Sequence, residues 1–306
     1  MQIRTLKTFC DVVELHSFSE AAKVNHLTQS AVSQQISHIE SEYGVRMIER
    51  AQRNLTLTPA GEVFYRACKD ILKRLEDVRL EISELSNVVA GTIKLESIYT
   101  IGLHDLPQYV KDFMSAYPDV QIHLTYRHSA EIYQDILSNM AHLGVVAQPQ
   151  KNRQLDIYPC WKEKMVVIVN PAHKFAKEKT IPITALDKEP FITFERNIPT
   201  RKLIDKTFRQ HGVQPQIVMT LDNIETIKRV VENGTGVSIV PIHSLRTELE
   251  DGTLVALELE GIPLEREIAV ISKKGRILSN AEKKFIDLLR GTLHLEKRDA
   301  RMAVAS

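Results

Sequence analysis

Ser17–Glu40, "SFSEAAKVNHLTQSAVSQQISHIE", decides how this chain is organised. Ser17 or Ser19 can cap a short helix carrying Ala21 and Ala22, two small residues that let another helix approach closely. Asn25 suits the stop, because asparagine tolerates the left-handed conformation. Thr28 can cap a third helix from Gln29 to about Tyr43, which Gly44 ends. At about 100° per residue, Val32, Ile36 and Ile39 fall in one narrow arc. Ser30, Ser33, Gln34, Ser37 and Ser41 fall roughly opposite, with Gln29 at the border. Ordinary solvated faces are rich in Lys and Glu. This one carries short hydroxyls and amides, which suit base edges in a DNA major groove. Ahead of it, Ile3, Leu6, Phe9 and Val13 repeat at helix spacing. Three helices with a short turn before the third make a helix-turn-helix.

Downstream, VRMIERAQRNLTLT offers two short extended runs around Gln52-Arg53-Asn54, which reads as a hairpin. It holds Arg46, Arg50 and Arg53, so the expected role is a basic wing that reaches phosphates or a minor groove. Thr58-Pro59 then opens a helix with a good N-cap and a proline at its first position. Along it, Phe64, Cys68, Ile71, Leu75, Val78, Ile82, Leu85 and Val89 alternate at spacings of four and three. That is a coiled-coil seam, and the simplest partner for a seam is a second copy. Dimeric binders read paired half-sites, so dimerisation is the expected role; packing against the chain's own body is the bland alternative.

From Thr92 the pattern changes. TIKLESI, VQIHLTY, LGVVAQP, MVVIVNP, FITFE, IVMTL, GVSIVP and EIAVISK read as strands, with helical patterns between many of them. The expected product is two α/β lobes with largely parallel sheets and a cleft. QKNRQLDIYPCWKEK would cross to the second lobe, and EIAVISK would return. The fold class is thus α+β multidomain. A winged helix-turn-helix spans about residues 1–58, a linker helix and hinge about 59–90, and a two-lobed α/β domain about 91–296. The last residues, about 297–306, lack a core pattern and are expected to fray.

Composition excludes more than it names. The 306 residues are 43% hydrophobic and 26% charged, with a net charge of +1. That suits a globular protein whose nucleic-acid contact comes from a local patch. No apolar run approaches the roughly 18 residues of a membrane span, and MQIRTLKTFC is no signal core, so a cytoplasmic location is expected. Cys10, Cys68 and Cys160 are too scattered for a disulfide framework or a zinc site. No P-loop, dinucleotide fingerprint or metal-spaced histidines appear, so no cofactor, metal or catalytic residue is expected. In ENGTGVSIVP the glycines follow a helix and precede a strand, the reverse of a phosphate loop.

SFSEAAKVNHLTQSAVSQQISHIE with IERAQRNLTLTPAGEVFY resembles the LysR-type transcriptional regulators over about residues 1–66. The remainder is similar in layout, with TIG at Thr100–Gly102, LGVVAQP and ENGTGVSIVP. The resemblance implies a winged helix-turn-helix, a dimerising linker helix and a periplasmic-binding-protein-like effector domain, assembled as a dimer or a dimer-of-dimers tetramer. It implies base contacts from Gln29, Ser33 and Gln34, phosphate contacts from Thr28 and Ser30, and a minor-groove contact from Arg53. It places Ser97, Thr100, Gln148, Thr200 and Arg201 around an effector. Two departures stand out. His142 occupies a position where the family often has Asp, and FERNIPTR lacks the usual Gly-Ser-rich loop.

Strand ends and helix starts add their own argument for the ligand. SIYTIG lies between the first strand and first helix of the large domain, where open α/β sheets collect ligands. A helix N-terminus there favours an anion. Ser97 and Thr100 add hydroxyls, and Arg201 would close from the other lobe with a forked contact to a carboxylate or sulfate. The alternative is that these hydroxyls merely cap helices. The expectation is a DNA-binding regulator modulated by a small anion; an architectural binder whose large domain serves only oligomerisation is the runner-up.

Overall fold

The computed structural model describes residues 2–51, 54–85 and 89–291, with no side-chain description at a few positions of the wing and linker helix. Contacts divide the chain into two compact units, one ending after the linker helix and one comprising everything that follows.

The first unit begins with α1 (Ile3–Glu14), α2 (Phe18–Val24) and α3 (Gln29–Tyr43). Each boundary has a local cause. Ser17 Oγ accepts the Glu20 N–H at 3.2 Å, Thr28 Oγ1 accepts the Ala31 N–H at 3.2 Å, and Gly44 takes the left-handed conformation with φ 68°. The stop of α2 differs from the sequence expectation. Asn25 stays at φ −93°, and His26 takes the left-handed conformation at φ 54°. Asn25 contributes its side chain instead, donating to Asp11 Oδ2 at 2.6 Å and the Ala21 carbonyl at 2.9 Å, which ties α2 to α1.

The wing is an antiparallel pair, β1 (Ile48–Ala51) and β2 (Asn54–Leu57). Glu40 of α3 anchors its base by accepting the Met47 and Ile48 N–H groups at 2.9 and 3.2 Å. The linker helix α4 (Pro59–Leu85) follows, capped by Thr58 through the Gly61 N–H at 3.0 Å. Gly61 is required there, since a Cβ would overlap the Met47 carbonyl. The core of this unit joins Phe9, Val12, Ala21, Val32, Ile36 and Ile39 to Phe64 and Cys68.

The second unit holds two lobes, each with its own apolar core. The first comprises β3 (Gly91–Ser97), α5 (Tyr99–His104), α6 (Leu106–Ala116), β4 (Val120–Tyr126), α7 (Ser129–Leu137) and β5 (Leu143–Ala147). The strand β6 (Leu155–Val169) then crosses. The second lobe comprises β7 (Thr180–Ile181), β8 (Pro190–Phe194), α8 (Pro199–Gln210), β9 (Gln216–Leu221), α9 (Ile224–Glu232) and β10 (Ser238–Pro241). A 3-10 turn (Ile242–Leu245), α10 (Arg246–Glu250) and β11 (Val255–Leu259) complete it. The strand β12 (Glu265–Lys273) returns, and α11 (Asn280–Leu289) packs on the first lobe.

Within the lobes the sheets are parallel where helices connect them: β3 with β4 and β5, and β8 with β9. The crossing strands are antiparallel to their neighbours, so the sheets are mixed. The last ten residues of QKNRQLDIYPCWKEK belong to the 15-residue strand β6. That strand pairs with β12 along its first part and with β10 and β11 along its second.

His142 has a local explanation. Its Nδ1 lies 2.8 Å from Oε1 of Glu282, the buried N3 residue of α11, whose other partners are Arg276 and the Ser279 N–H. Burial pushes the Glu282 carboxyl up, but hydrogen bonds from His142 and Arg276 outweigh it and hold the pKa at about 2. A folded-state pKa below the unfolded one gives stability that is present above the ordinary carboxylate pKa and lost as pH falls toward 2. Glu282→Gln is therefore expected to remove roughly 3 kcal/mol at neutral pH and to flatten the acid limb of a thermal-melt profile between about pH 5 and 2. An unchanged acid limb would show that Glu282 gains nothing from its partners.

Candidate functional site

Two surfaces collect the residues singled out by the sequence. The first is on α3. Val32, Ile36 and Ile39 are fully buried, whereas Gln29, Ser30, Gln34 and Ser37 are exposed and Ser33 is half-buried. Gln29, Ser30, Ser33, Gln34, Ser37 and His38 line one shallow surface hollow that carries no Lys, Arg, Asp or Glu. Thr28 serves two purposes, capping α3 and holding the Ser30 hydroxyl at 3.0 Å. The backbone of Arg50 lies in β1, while Arg53 falls outside the described residues.

On the linker helix the seam is shorter than its spacing suggested. Phe64 is 8% exposed and packs edge-on against Phe9 at 5.0 Å and Tyr43 at 5.4 Å. Its assignment to a dimer interface is therefore corrected. The first turns of α4 complete the three-helix core, so Phe64 and Cys68 are used inside the unit. The thiols of Cys10 and Cys68 meet there, and the hydrogen bond between them, together with burial, pushes Cys10 far up, consistent with inert core residues. Farther along, Ile71 and Ile82 are exposed, and Leu75 and Val78 are half-buried. The Leu85 side chain lies outside the described residues. Val45, Met47, Val63, Ala67 and Ile71 extend the seam as an apolar groove beside α1.

The second surface is a cleft between the lobes, about 700 Å³ including its open mouth. Four helix starts converge on it. Ile98, Tyr99 and Thr100 come from α5, and Arg127 to Ala130 from α7. Asn197 to Thr200 come from α8, and Asp222 and Ile224 from α9. The α9 start is capped by Asn223, which accepts the Glu225 N–H at 2.8 Å. Neither α5 nor α8 is capped by a side chain, and the two starts belong to opposite lobes. Gly102 lets α5 lie close to β4, because a Cβ would overlap the Tyr126 ring.

Arg266 forms the floor and is 1% exposed. Its Nε and Nη2 donate to Glu163 Oε2 at 2.8 and 2.7 Å. Its Nη2 also reaches Thr100 Oγ1 at 3.2 Å, and Nη1 reaches Thr200 Oγ1 at 3.4 Å. One guanidinium thus holds a hydroxyl from each lobe. Burial pushes the Glu163 carboxyl up, and Arg266 counters it.

Of the residues expected at an effector, Thr100 and Thr200 line the cleft. Three others do not. Ser97 is fully buried and donates to the Ile98 carbonyl at 3.1 Å. Gln148 sits at φ 50° with its N–H on the Glu267 carbonyl at 2.7 Å, and it is absent from the lining. Arg201 is turned away: Nε holds Asp205 at 2.6 Å and Nη1 holds the Phe194 carbonyl at 2.9 Å. A forked contact from Arg201 to a ligand is therefore corrected, since helix geometry places its acidic partner four residues on. The cleft's cationic groups are Arg266 and Arg127, which the sequence reading missed.

Residues 3–62 match the bacterial regulatory helix-turn-helix protein, lysR family, and residues 86–294 match the LysR substrate binding domain. The chain is 30% identical over 287 residues to the HTH-type transcriptional activator CmpR of Synechocystis, covering 94% of each chain. It is 29% identical to a RuBisCO operon transcriptional regulator of Allochromatium vinosum, over 93% of this chain and 94% of that one. The regulatory domain of Synechocystis CcmR, solved in complex with 2-PG, is 27% identical with a TM-score of 0.61, over 68% of this chain and 99% of that one. Full-length CbnR, solved with its target DNA, shares the fold at a TM-score of 0.67 and 21% identity, over 96% of this chain and all of that one. With a lysR-family helix-turn-helix and a LysR substrate binding domain matched along nearly its whole length, this chain belongs to the LysR family of transcriptional regulators.

Proposed function

We propose that this regulator binds paired DNA half-sites through the polar face of α3, and that a small anion held in the cleft between the lobes modulates that binding. The observation that carries the anion reading is the pair of side-chain-uncapped helix starts, α5 and α8, facing one space from opposite lobes with Arg266 beneath. Helix N-termini carry partial positive charge and unused N–H donors, which suits phosphate, sulfate or carboxylate. Arg127 adds a second cation, and Asp222 adds an acceptor for a hydroxyl on the ligand. That a relative's regulatory domain was solved with 2-PG supports a small-molecule ligand here. The chain acts as a regulator and not as an enzyme, in the cytoplasm beside its DNA. Among the described residues no helix is long and apolar enough to cross a membrane. It assembles as a dimer or a dimer of dimers.

Calorimetry with 2-PG and a panel of small phosphorylated, sulfated and dicarboxylic acids tests the cleft. Thr100→Val removes a hydroxyl at the α5 start, and the expected loss is about 1–2 kcal/mol, or roughly tenfold in Kd. Ligands that bind Thr100→Val as they bind wild type would move the pocket elsewhere. If every acid fails to bind, the architectural reading takes over.

For the DNA face, Gln34→Ala and Ser33→Ala are each expected to cost about 1–3 kcal/mol at a cognate site and to relax sequence preference. Arg53→Ala should weaken binding on all sequences and lower the salt slope. Equal weakening by Gln34→Ala on cognate and random DNA would remove its base-reading role.

A further inference from the structure

Outside both surfaces, ionisable groups gather where the crossing strand β6 passes between the lobes. Asp105, between α5 and α6, belongs to the first lobe; His243, on the 3-10 turn after β10, belongs to the second; Glu163 lies on β6 itself. His243 Nδ1 is 2.8 Å from Asp105 Oδ1 and 3.8 Å from Glu163 Oε1, and one ligating atom from each residue falls within 4.8 Å of the other two.

The carboxylates are deeply placed, with the Asp105 and Glu163 side chains 8% and 1% exposed. Asp105 Oδ2 is buried and accepts no hydrogen bond among the described residues. Arg266 takes Glu163 by Oε2, which leaves Oε1 turned toward His243 at a distance too long for a hydrogen bond. Two carboxylates thus share this pocket with one guanidinium, which contacts Glu163. A buried charge without a partner is costly, so the cluster favours one more cation.

We propose that Asp105, Glu163 and His243 form a binding site for a divalent first-row transition cation that joins the two lobes. Two carboxylate oxygens and one imidazole nitrogen are a borderline donor set of the kind that takes Mn²⁺, Ni²⁺ or Zn²⁺. Ligand distances of about 2.0–2.2 Å require the Asp105–His243 pair to open slightly and the Glu163–His243 pair to close. His243 is about half exposed, so water has access to complete the shell. None of the three ligands lines the anion cleft, and Arg266 is the residue that connects the two sites.

Calorimetric titration of the full-length, EDTA-stripped protein with MnCl2, NiCl2 and ZnCl2, each alone, tests the site. The expected result is one cation per chain with a Kd of about 10 µM or tighter for at least one of them. His243→Ala and Asp105→Asn should each weaken that binding by about tenfold or more. His243 is exposed enough for its alanine variant to fold, which circular dichroism checks. His104→Ala, which removes the neighbouring histidine that holds Glu225 across the lobes at 2.9 Å, should bind as wild type. No one-to-one uptake tighter than about 100 µM would overturn the proposal. So would uptake that His243→Ala and Asp105→Asn leave unchanged, because that marks binding elsewhere on the chain.

Discussion

Arg266→Met should lower the melting temperature sharply and abolish measurable anion binding, the largest combined effect expected in the second unit. The side chain is fully buried and its partner Glu163 equally so. Removing one member of a buried pair leaves the other desolvated, at a cost of about 3–5 kcal/mol. Burial already pushes the Glu163 carboxyl up and Arg266 counters it, so the variant should push it up further. The same change releases Thr100 and Thr200, the two hydroxyls at the uncapped helix starts. Pairing Arg266→Met with Glu163→Gln should recover part of the stability but none of the anion affinity, because only the charge deficit is repaired. Thermal melts and calorimetry on the three variants separate the two effects. If Arg266→Met melts lower yet binds the anion as wild type, Arg266 is a strut under the cleft and Arg127 is the charged contact.

That arginine was legible in the sequence, although not where the family pattern directed attention. In β12 the alternation Glu265, Arg266, Glu267, Ile268 runs exposed, buried, exposed, buried. A charge at an inward position of a strand requires a partner. The partner is Glu163 in Lys162-Glu163-Lys164, a run with the opposite sign at every position, and the register pairs Lys164 with Glu265, Glu163 with Arg266 and Lys162 with Glu267. Two short runs, KEK and ERE, encode the crossing between the lobes. Period and capping chemistry act over a few residues, which is why α3, the wing and the start of α4 followed from the sequence. Arg201 shows the limit of such reasoning. Its place at a helix start suggested a ligand contact, but Asp205, one turn later, captures the guanidinium. Nothing local distinguishes an arginine aimed at a cleft from one folded back along its helix. The cluster of Asp105, Glu163 and His243 is harder still, since its members lie far apart in the chain and meet only once the lobes are built.

The linker helix carries the other large effect: Leu75→Lys should convert the dimer to monomer in sedimentation and eliminate binding to paired half-sites. The helix runs 27 residues, about 40 Å, and only its first turns serve the core of the first unit. Beyond them Ile71 and Ile82 remain 46% and 62% exposed on the same seam as the half-buried Leu75 and Val78. A large exposed aliphatic side chain contributes about 1.5–3 kcal/mol when fully buried, so two copies of this seam give a substantial driving force for pairing. A lysine at position 75 places an unpaired ammonium near its middle, where desolvation costs several kcal/mol per chain. Phe64→Lys should behave differently. Its ring is locked between Phe9 and Tyr43, so that change should unfold the first unit rather than release an intact monomer. Sedimentation and far-ultraviolet circular dichroism on the two variants distinguish a broken interface from a broken core. A Leu75→Lys protein that stays fully dimeric would place the interface on another face of the molecule.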